Sequence, residues 1–235
     1  MPDHLQDGML AHLSKLQSLR GTGVQDAAFR SQLLILKRWQ SERLARTYAD
    51  LSAQTRYAPA VDYFLNDLYA AKDFAQRDAE MIRIYPTLKK LLPQSMVETV
   101  GLALELDALT EELDQELTRQ VFAQGNSFTE ARYVESFRSS GSKSQRLRQV
   151  ELVDEVGKRL DAAVGKPLIY STLKLLRRPA KLSGLGELQQ FLEHGFTAFR
   201  HMNGAQEFLA TIMRRESEII TRIFSGHPAP FSPSP

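Results

Sequence analysis

The sequence predicts an all-α protein, and two features of the chain lead to that prediction. Apolar residues recur every three or four positions along almost the whole length, as they do on one face of an α-helix. No convincing run of residues alternates between apolar and polar positions between turn signals, which is the pattern of a half-buried strand. We therefore expect a multi-helix bundle of about nine or ten helices with no sheet.

The N-terminal part is predicted to form two helices. The first covers about residues 5–19, where Leu13 and Leu16 fall on one face, and Gly21 can end it. The second covers about residues 26–55 as one continuous helix, because its apolar stripe continues without a break. Both amphipathic faces must pack against other helices.

Two shorter helices are expected next. Pro59 suits the first turn of a helix over about residues 59–71, because its missing N–H costs nothing there. Asp73 can cap a fourth helix, which ends before Pro86 because the residue preceding a proline disfavours the helical conformation.

A long helix is then predicted over about residues 95–124, with an apolar stripe on one side and acidic residues opposite. A modest helix over about 129–138 follows it. Four more helices are expected, separated from one another by Gly or Pro, at about 144–164, 167–176, 185–202 and 205–224.

The Ser-Ser-Gly-Ser sequence at 139–142 is the best internal boundary in the chain. It divides an N-terminal helical half, 1–138, from a C-terminal helical half, 143–225, and we expect the two halves to pack as one domain. Residues 226–235 contain four prolines and are predicted to form a disordered tail.

Composition limits the classes of function. The chain has 235 residues, of which 43% are hydrophobic and 25% charged, as in an ordinary soluble protein. It has no cysteine, which excludes disulfides, thiolate nucleophiles and cysteine-based metal sites. The N-terminal sequence lacks the features of an export signal, and no window approaches about 18 consecutive apolar residues. We therefore predict a cytoplasmic protein without a membrane span.

The densest group of aromatic and charged residues lies between Tyr57 and Pro86 and contains the sequence YFLNDLY at 63–69. This sequence resembles the motif of the FFLEELY-motif family, bacterial proteins of uncharacterised function. The matching residues are Phe64, Leu65, Leu68 and Tyr69, whereas Tyr63, Asn66 and Asp67 differ from the motif. The resemblance implies an all-helical fold and carries no known activity or catalytic residue.

The polar residues around this motif suggest a candidate ligand or partner site. It consists of Tyr69, Arg77, Asp78 and Arg83. The alternative is that these side chains form exposed ion pairs that cross-link helices, each contributing about 0.2–0.5 kcal/mol. A pocket would favour the first interpretation, and the sequence alone favours the second.

Charge is distributed unevenly between two consecutive segments of the chain. Residues 94–131 contain eight acidic residues against one basic, and residues 132–181 contain twelve basic against five acidic. A candidate basic patch consists of Lys143, Arg146, Arg148, Lys174, Arg177, Arg178 and Lys181. Pairing with the acidic segment inside the molecule is the favoured interpretation, a protein partner comes next, and nucleic acid or anionic lipid is the least favoured.

No catalytic or cofactor motif is found. The chain has no E-x-x-H spacing, G-x-S-x-G elbow, phosphate-binding loop or dinucleotide fingerprint, so we predict no cofactor, no metal and no catalytic residue. His194 and His201 are too far apart along one helix to share a metal ion. Glu111 and Glu112 are predicted to lie on a solvated helix face.

The function is therefore not given by the sequence. The leading hypothesis is a non-catalytic helical protein-interaction or regulatory module, acting with a protein partner or as a homo-oligomer. The first alternative is a small-ligand-binding protein or an enzyme with a polar pocket near the YFLNDLY and RDAEMIR segments. The second alternative is a weak nucleic-acid or anionic-surface binder that uses the basic region 143–181.

Overall fold

The computed structural model describes residues 3–23, 27–68, 79–84, 94–175 and 177–232, and the regular structure in these ranges is entirely helical. The helices are α1 (Asp3–Gly23), α2 (Ala27–Thr47), α3 (Ala49–Ser52), α4 (Ala58–Tyr63), which continues as a π-helical turn (Phe64–Leu68), α5 (Gln94–Val121), α6 (Glu130–Ser139), α7 (Lys143–Val164), α8 (Pro167–Leu175), α9 (Arg177–Leu182), α10 (Gly186–Met202) and α11 (Gln206–Phe224). Residues 79–84 are also helical. The prediction of an all-α bundle is confirmed. Within these ranges, no helix has a stretch apolar and long enough to cross a bilayer.

Helix ends lie where the local sequence favours them. Pro59 occupies the first turn of α4. Thr129 caps α6 by accepting a hydrogen bond from the Arg132 amide. Ser142 and Gln145 form a reciprocal capping box at the start of α7, so the predicted boundary at 139–142 is a tight junction between two helices.

The predicted second helix is not continuous. It is interrupted at Tyr48, whose φ of −112° and ψ of 19° separate α2 from α3. The interruption accompanies a long-range contact, because the buried Tyr48 hydroxyl donates a hydrogen bond of 2.9 Å to Glu216 in α11. The predicted third helix also changes character, since the regular α-helix ends at Tyr63 and a π-helical turn follows.

The longest helix, α5, packs against α1, α2, α6 and α7. Ion pairs join its acidic side to the basic helix α7, from Arg148 to Glu105 and from Arg159 to Glu98, both at 3.1 Å. The oppositely charged segments seen in the sequence therefore pair with each other within the same chain. At surface exposures of this kind each pair contributes about 0.2–1 kcal/mol.

Helices α7 and α11 pack closely against each other at Gly157. A Cβ atom added to Gly157 of α7 would lie 2.5 Å from Cδ2 of Leu209 in α11, well inside van der Waals contact. Glycine at this position allows the two helix backbones to approach each other.

The segment predicted as a disordered tail packs on the core as far as the structure describes it, to residue 232. The ring of Phe231 lies 5.9 Å from Trp39 and 6.1 Å from Tyr133 between centroids, and Arg222 donates a hydrogen bond of 2.6 Å to the Ser232 carbonyl. The four prolines of this segment favoured disorder, whereas the aromatic ring of Phe231 packs against two other aromatic rings and holds the segment on the core.

Candidate functional site

A cavity of about 90 Å³ lies in the centre of the bundle. Its walls come from α2, Tyr48, α4 with the π-helical turn, α5, α6, α7, α11 and Phe231. The polar residues of the lining are Gln40, Arg43, Tyr48, Thr110, Asp114, Tyr133, Arg146, Gln149 and Glu216. The remaining lining residues are aliphatic or phenylalanine. We call this space the central cavity.

The YFLNDLY motif forms part of the cavity wall. Phe64 and Leu65, in the π-helical turn, line the cavity together with Val61 of α4. The preceding residue, Tyr63, points elsewhere and is held by α10, where a Cβ on Gly195 would lie 2.8 Å from the Tyr63 hydroxyl oxygen. Single π-helical turns often occur at functional sites, because they shift the direction of the side chains that follow.

One ion pair in the cavity wall is complete. Arg43 Nη1 donates to both carboxylate oxygens of Glu216, at 2.7 and 2.9 Å, and Tyr48 donates to the same carboxylate. Burial acts to lower the pKa of Arg43, but the charge of Glu216 and its hydrogen bond outweigh burial and raise that pKa. This pair holds its charges together and leaves no net charge behind.

Arg146 is in a different situation. Its side chain is 2% exposed, and its one hydrogen bond within the described residues runs from Nη2 to the Leu113 carbonyl at 3.4 Å. Nε has no hydrogen-bond partner in the described part of the chain, and no carboxylate of that part lies within 4.0 Å of the guanidinium nitrogens. The guanidinium lies over the Phe137 ring, 4.2 Å from its centroid. Burial lowers the pKa of Arg146, opposed by Tyr133 and Asp114.

Asp114 is the nearest candidate for a counter-charge, and its environment disfavours ionisation. It is 5% exposed and accepts a hydrogen bond of 3.1 Å from the Gln40 amide. Burial is the largest influence on this carboxyl group and raises its pKa, despite the opposing charges of Lys37 and Arg146.

A second unused donor lies beside Arg146. The Tyr133 side chain is 1% exposed, and its hydroxyl accepts a long hydrogen bond of 3.5 Å from Gln40. In the described part of the chain this hydroxyl donates to no acceptor, and Arg43 Nε is likewise without a partner. The unsatisfied polar groups of the lining are therefore hydrogen-bond donors.

Arg83 is the residue of the predicted ligand site that the structure describes. Tyr69, Arg77 and Asp78 lie outside the described residues. Arg83 donates hydrogen bonds to the carbonyl oxygens of Ser183, at 2.8 Å, and Gly184. These bonds fix the helical segment 79–84 to the turn between α9 and α10.

A neighbouring carboxylate strengthens that contact. Glu80 is 3% exposed and accepts a hydrogen bond of 2.8 Å from the Leu188 amide in the first turn of α10. A carboxylate at this position also interacts favourably with the helix dipole. The described contacts of Glu80 and Arg83 are thus contacts between helices.

The predicted basic patch is divided by the fold. Arg146 lies in the central cavity and not on the surface, because α5 and α6 cover its face of α7. Arg148 pairs with Glu105 and with Glu155, and Arg177 pairs with Glu193 at 2.6 Å. The remaining basic residues of the predicted patch are exposed: Lys143, Lys174, Arg178 and Lys181.

Glu111 was expected on a solvated helix face and is instead buried, with 3% exposure. Helices α1 and α2 cover it and bring Lys37 to 2.8 Å and Arg20 to 3.4 Å. Burial acts to raise its pKa, but Lys37, the Gln115 amide and Arg20 together hold the pKa below its ordinary value of 4.5. Glu112 is partly exposed and pairs with Lys15 at 2.7 Å.

The histidines considered as ligands make ordinary hydrogen bonds. His194 Nδ1 lies 3.2 Å from an Asp67 oxygen, and His201 Nε2 lies 3.0 Å from the Thr55 carbonyl oxygen. Across the described ranges, no group of three His, Asp or Glu side chains has a geometry that could hold a metal ion.

Comparison with known proteins identifies the family of the chain. A family model described as Domain of unknown function (DUF8198) matches residues 21–230, which is most of the chain and includes every helix around the central cavity. No curated protein and no solved structure matches the chain. The chain belongs to this family of uncharacterised domains.

Proposed function

We propose that the chain is a non-catalytic regulatory module that binds a small molecule in the central cavity. One observation carries the proposal: Arg146 is buried at the cavity wall, and within the described residues its Nε has no hydrogen-bond partner and its guanidinium has no ion pair. Buried polar groups in folded proteins nearly always have hydrogen-bond partners, and exceptions require a reason. A ligand in the cavity would supply the missing partner.

The contrast with Arg43 supports this interpretation. The fold gives Arg43 a bidentate carboxylate, so the bundle is able to satisfy a buried guanidinium when the role is structural. Arg146 lies in the same cavity lining, and its one described hydrogen bond is the long one that it donates to the Leu113 carbonyl. Such a group costs stability, and proteins retain this kind of cost at functional sites.

The size of the cavity also fits a ligand. A water molecule needs about 10–15 Å³ of such space, and an engineered cavity of about 150 Å³ binds benzene. The central cavity, at about 90 Å³, lies between these values. It has room for a small organic molecule or for several waters.

Binding is favoured over turnover because the acidic groups of the lining are already hydrogen-bonded to other lining residues. Glu216 accepts bonds from Arg43 and Tyr48, and Asp114 accepts a bond from Gln40. The proposal also includes the finer family assignment, a bacterial FFLEELY-motif protein that acts in the cytoplasm. The resemblance at residues 63–69 supports that assignment.

The proposal is tested by screening small fragments against the protein with methyl labels on Ile, Leu and Val. A bound fragment is expected to shift the methyl signals of Val153 and Ile212, which line the cavity. Val153→Phe should fill the cavity and abolish binding. Val134→Phe is the matched control, because Val134 is half-buried on α6 and is not part of the lining. If no fragment binds at millimolar concentration, or if Val153→Phe binds as the wild type does, the proposal is wrong.

A second candidate function, docking of a protein partner, is favoured by the surface of α8 and α9. Leu175 and Leu182 are 79% and 88% exposed. The exposed basic residues Lys174, Arg178 and Lys181 lie close to them in sequence. Exposed leucines among basic residues suit a partner with an apolar patch and an acidic rim.

The docking surface is tested with a partner purified from the source cell and mixed again with the pure protein. Leu182→Glu should weaken the complex by at least about tenfold, which corresponds to ~1.4 kcal/mol. Leu192→Glu on α10 is the control, because Leu192 is 37% exposed and lies outside this surface. Equal effects of the two substitutions would contradict the docking role of α8 and α9.

A further inference from the structure

We propose that the ligand of the central cavity is a small monocarboxylic acid, bound through its carboxylate by the guanidinium of Arg146 and through its short hydrocarbon part by the apolar lining. The inference rests on the proposed function and specifies the chemistry of its ligand. Four properties of the cavity support it: its unsatisfied hydrogen-bond donors, its charge, the number of cations available to the ligand, and the small apolar space beside them.

Each unsatisfied group of the lining needs a hydrogen-bond acceptor as its partner. Arg146 Nε and Arg43 Nε have no acceptor among the described residues, and the Tyr133 hydroxyl donates to none there. All three are hydrogen-bond donors. A ligand that fits them must present acceptors, and an ionised carboxylate is an acceptor-only group with two oxygens.

The charge of the lining favours a single negative charge on the ligand. Arg43 and Glu216 neutralise each other. A guanidinium stays protonated in proteins, and among the described residues no carboxylate makes an ion pair with that of Arg146. The nearest acidic side chain of the lining, Asp114, is hydrogen-bonded to Gln40 instead. A monoanion beside Arg146 would make strong, charge-assisted hydrogen bonds with it.

The number of available cations separates a carboxylate from a phosphate. A phosphate group usually carries close to two negative charges and is bound by several donors or cations. Among the described residues of the lining, one guanidinium is free to bind, since that of Arg43 already holds a carboxylate. The planar fork of Arg146 matches the planar carboxylate group.

The apolar residues of the lining determine the chemistry of the other end of the ligand. Phe64, Val153 and Ile212 present hydrocarbon to the cavity, so a polar group on the part of the ligand that faces them would lose its hydration without gaining a partner. A cavity of about 90 Å³ is smaller than the one of about 150 Å³ that accepts benzene. An acid of roughly two to four carbon atoms, which has no more non-hydrogen atoms than benzene, satisfies both conditions.

The test compares butyrate with butyramide, which has nearly the same shape and no charge. Binding is measured by methyl chemical shifts in the wild-type protein, Arg146→Met and Arg146→Lys. Butyrate should bind the wild type about 10- to 100-fold more tightly than butyramide, since charge-assisted hydrogen bonds are the stronger kind. Arg146→Met should remove this preference, and Arg146→Lys, which keeps a charge without the fork, should retain part of it.

Arg148→Met is the matched control, because Arg148 lies on the same helix and pairs with Glu105 outside the cavity lining. It should bind butyrate as the wild type does. The dispersion of the methyl spectrum reports whether each variant is folded, so loss of binding is separated from loss of structure.

The outcomes also separate the two proposals. If neutral fragments and butyramide bind as tightly as butyrate, and Val153→Phe abolishes both, the cavity binds ligands but the carboxylate inference is wrong. If butyrate binds Arg146→Met as tightly as the wild type, the inference is also wrong. If neither acid, amide nor any other fragment binds, the proposed function itself fails.

Discussion

Replacing Arg146 with methionine is expected to make the ligand-free protein more stable. The guanidinium loses its hydration in the folded state, at an effective cost of several kcal/mol. In return it gains one long hydrogen bond to the Leu113 carbonyl and its contact with the Phe137 ring. These contribute about 1 kcal/mol and ~2 kcal/mol, respectively. A methionine of similar length keeps the packing, so we expect a gain of about 1–3 kcal/mol in the free energy of unfolding.

Arg43→Met provides the comparison, because the same substitution there removes the partner of a buried carboxylate. Glu216 would keep only its hydrogen bond from Tyr48 among the bonds described above. Removing one member of a buried ion pair costs about 3–5 kcal/mol. The two substitutions, identical in chemistry, are thus expected to change stability in opposite directions.

The measurement is urea-induced unfolding followed by the fluorescence of Trp39, the one tryptophan in the chain. The protein should first be unfolded, dialysed and refolded so that no bound ligand remains. Unchanged slopes with denaturant would show that the variants unfold by the same transition. A loss of more than about 2 kcal/mol in Arg146→Met would mean that Arg146 stabilises the fold, and the argument for a ligand would fail.

Three further predictions concern the frame around the cavity. Gly157→Ala should be less stable than Gly101→Ala by about 1–3 kcal/mol in urea unfolding, because both gain helix propensity but only the first adds a methyl group in a tight contact. For Glu111, the folded-state pKa lies below 4.5, so its contribution is present above that pH and lost as the pH falls through the folded value. Glu111→Gln should therefore lower stability at pH 7 and remove part of the acid-induced loss seen in unfolding curves from pH 7 to 3. Phe231→Ala should shift the emission of Trp39 to longer wavelength and cost about 1–2 kcal/mol, and an unchanged spectrum would contradict the packing of this segment.

Much of the fold follows from local signals in the sequence. The starts of α4, α6 and α7 were predictable from Pro59, Thr129 and Ser142, because caps and N-terminal prolines act through neighbouring residues. The break at Tyr48 was not predictable. It accompanies a hydrogen bond to Glu216, which is 168 residues away, and nothing in the local sequence marks it.

The cavity residues were missed for a different reason. Arg146 was grouped with its neighbours in sequence as part of a candidate basic patch, but it shares a helix face with Val150 and Val153 at spacings of four and seven. Glu216 likewise lies between Ile212 and Ile220 on α11. A charged residue within an apolar stripe is a usable signal of a buried charge. Whether such a charge has a partner depends on the packing of other helices, which the stripe does not reveal.

The contact between Arg43 and Glu216 joins residues 173 positions apart, whereas that between Arg146 and Leu113 spans 33. Closing the longer loop costs about 1.5 kcal/mol more in chain entropy, so we expect α11 to dock after α5, α6 and α7 have assembled. The cavity would then come into existence only at the end of folding. A ligand that needs the complete cavity cannot speed folding, but it should slow unfolding. The main effect of a bound ligand would therefore be a longer lifetime of the folded state.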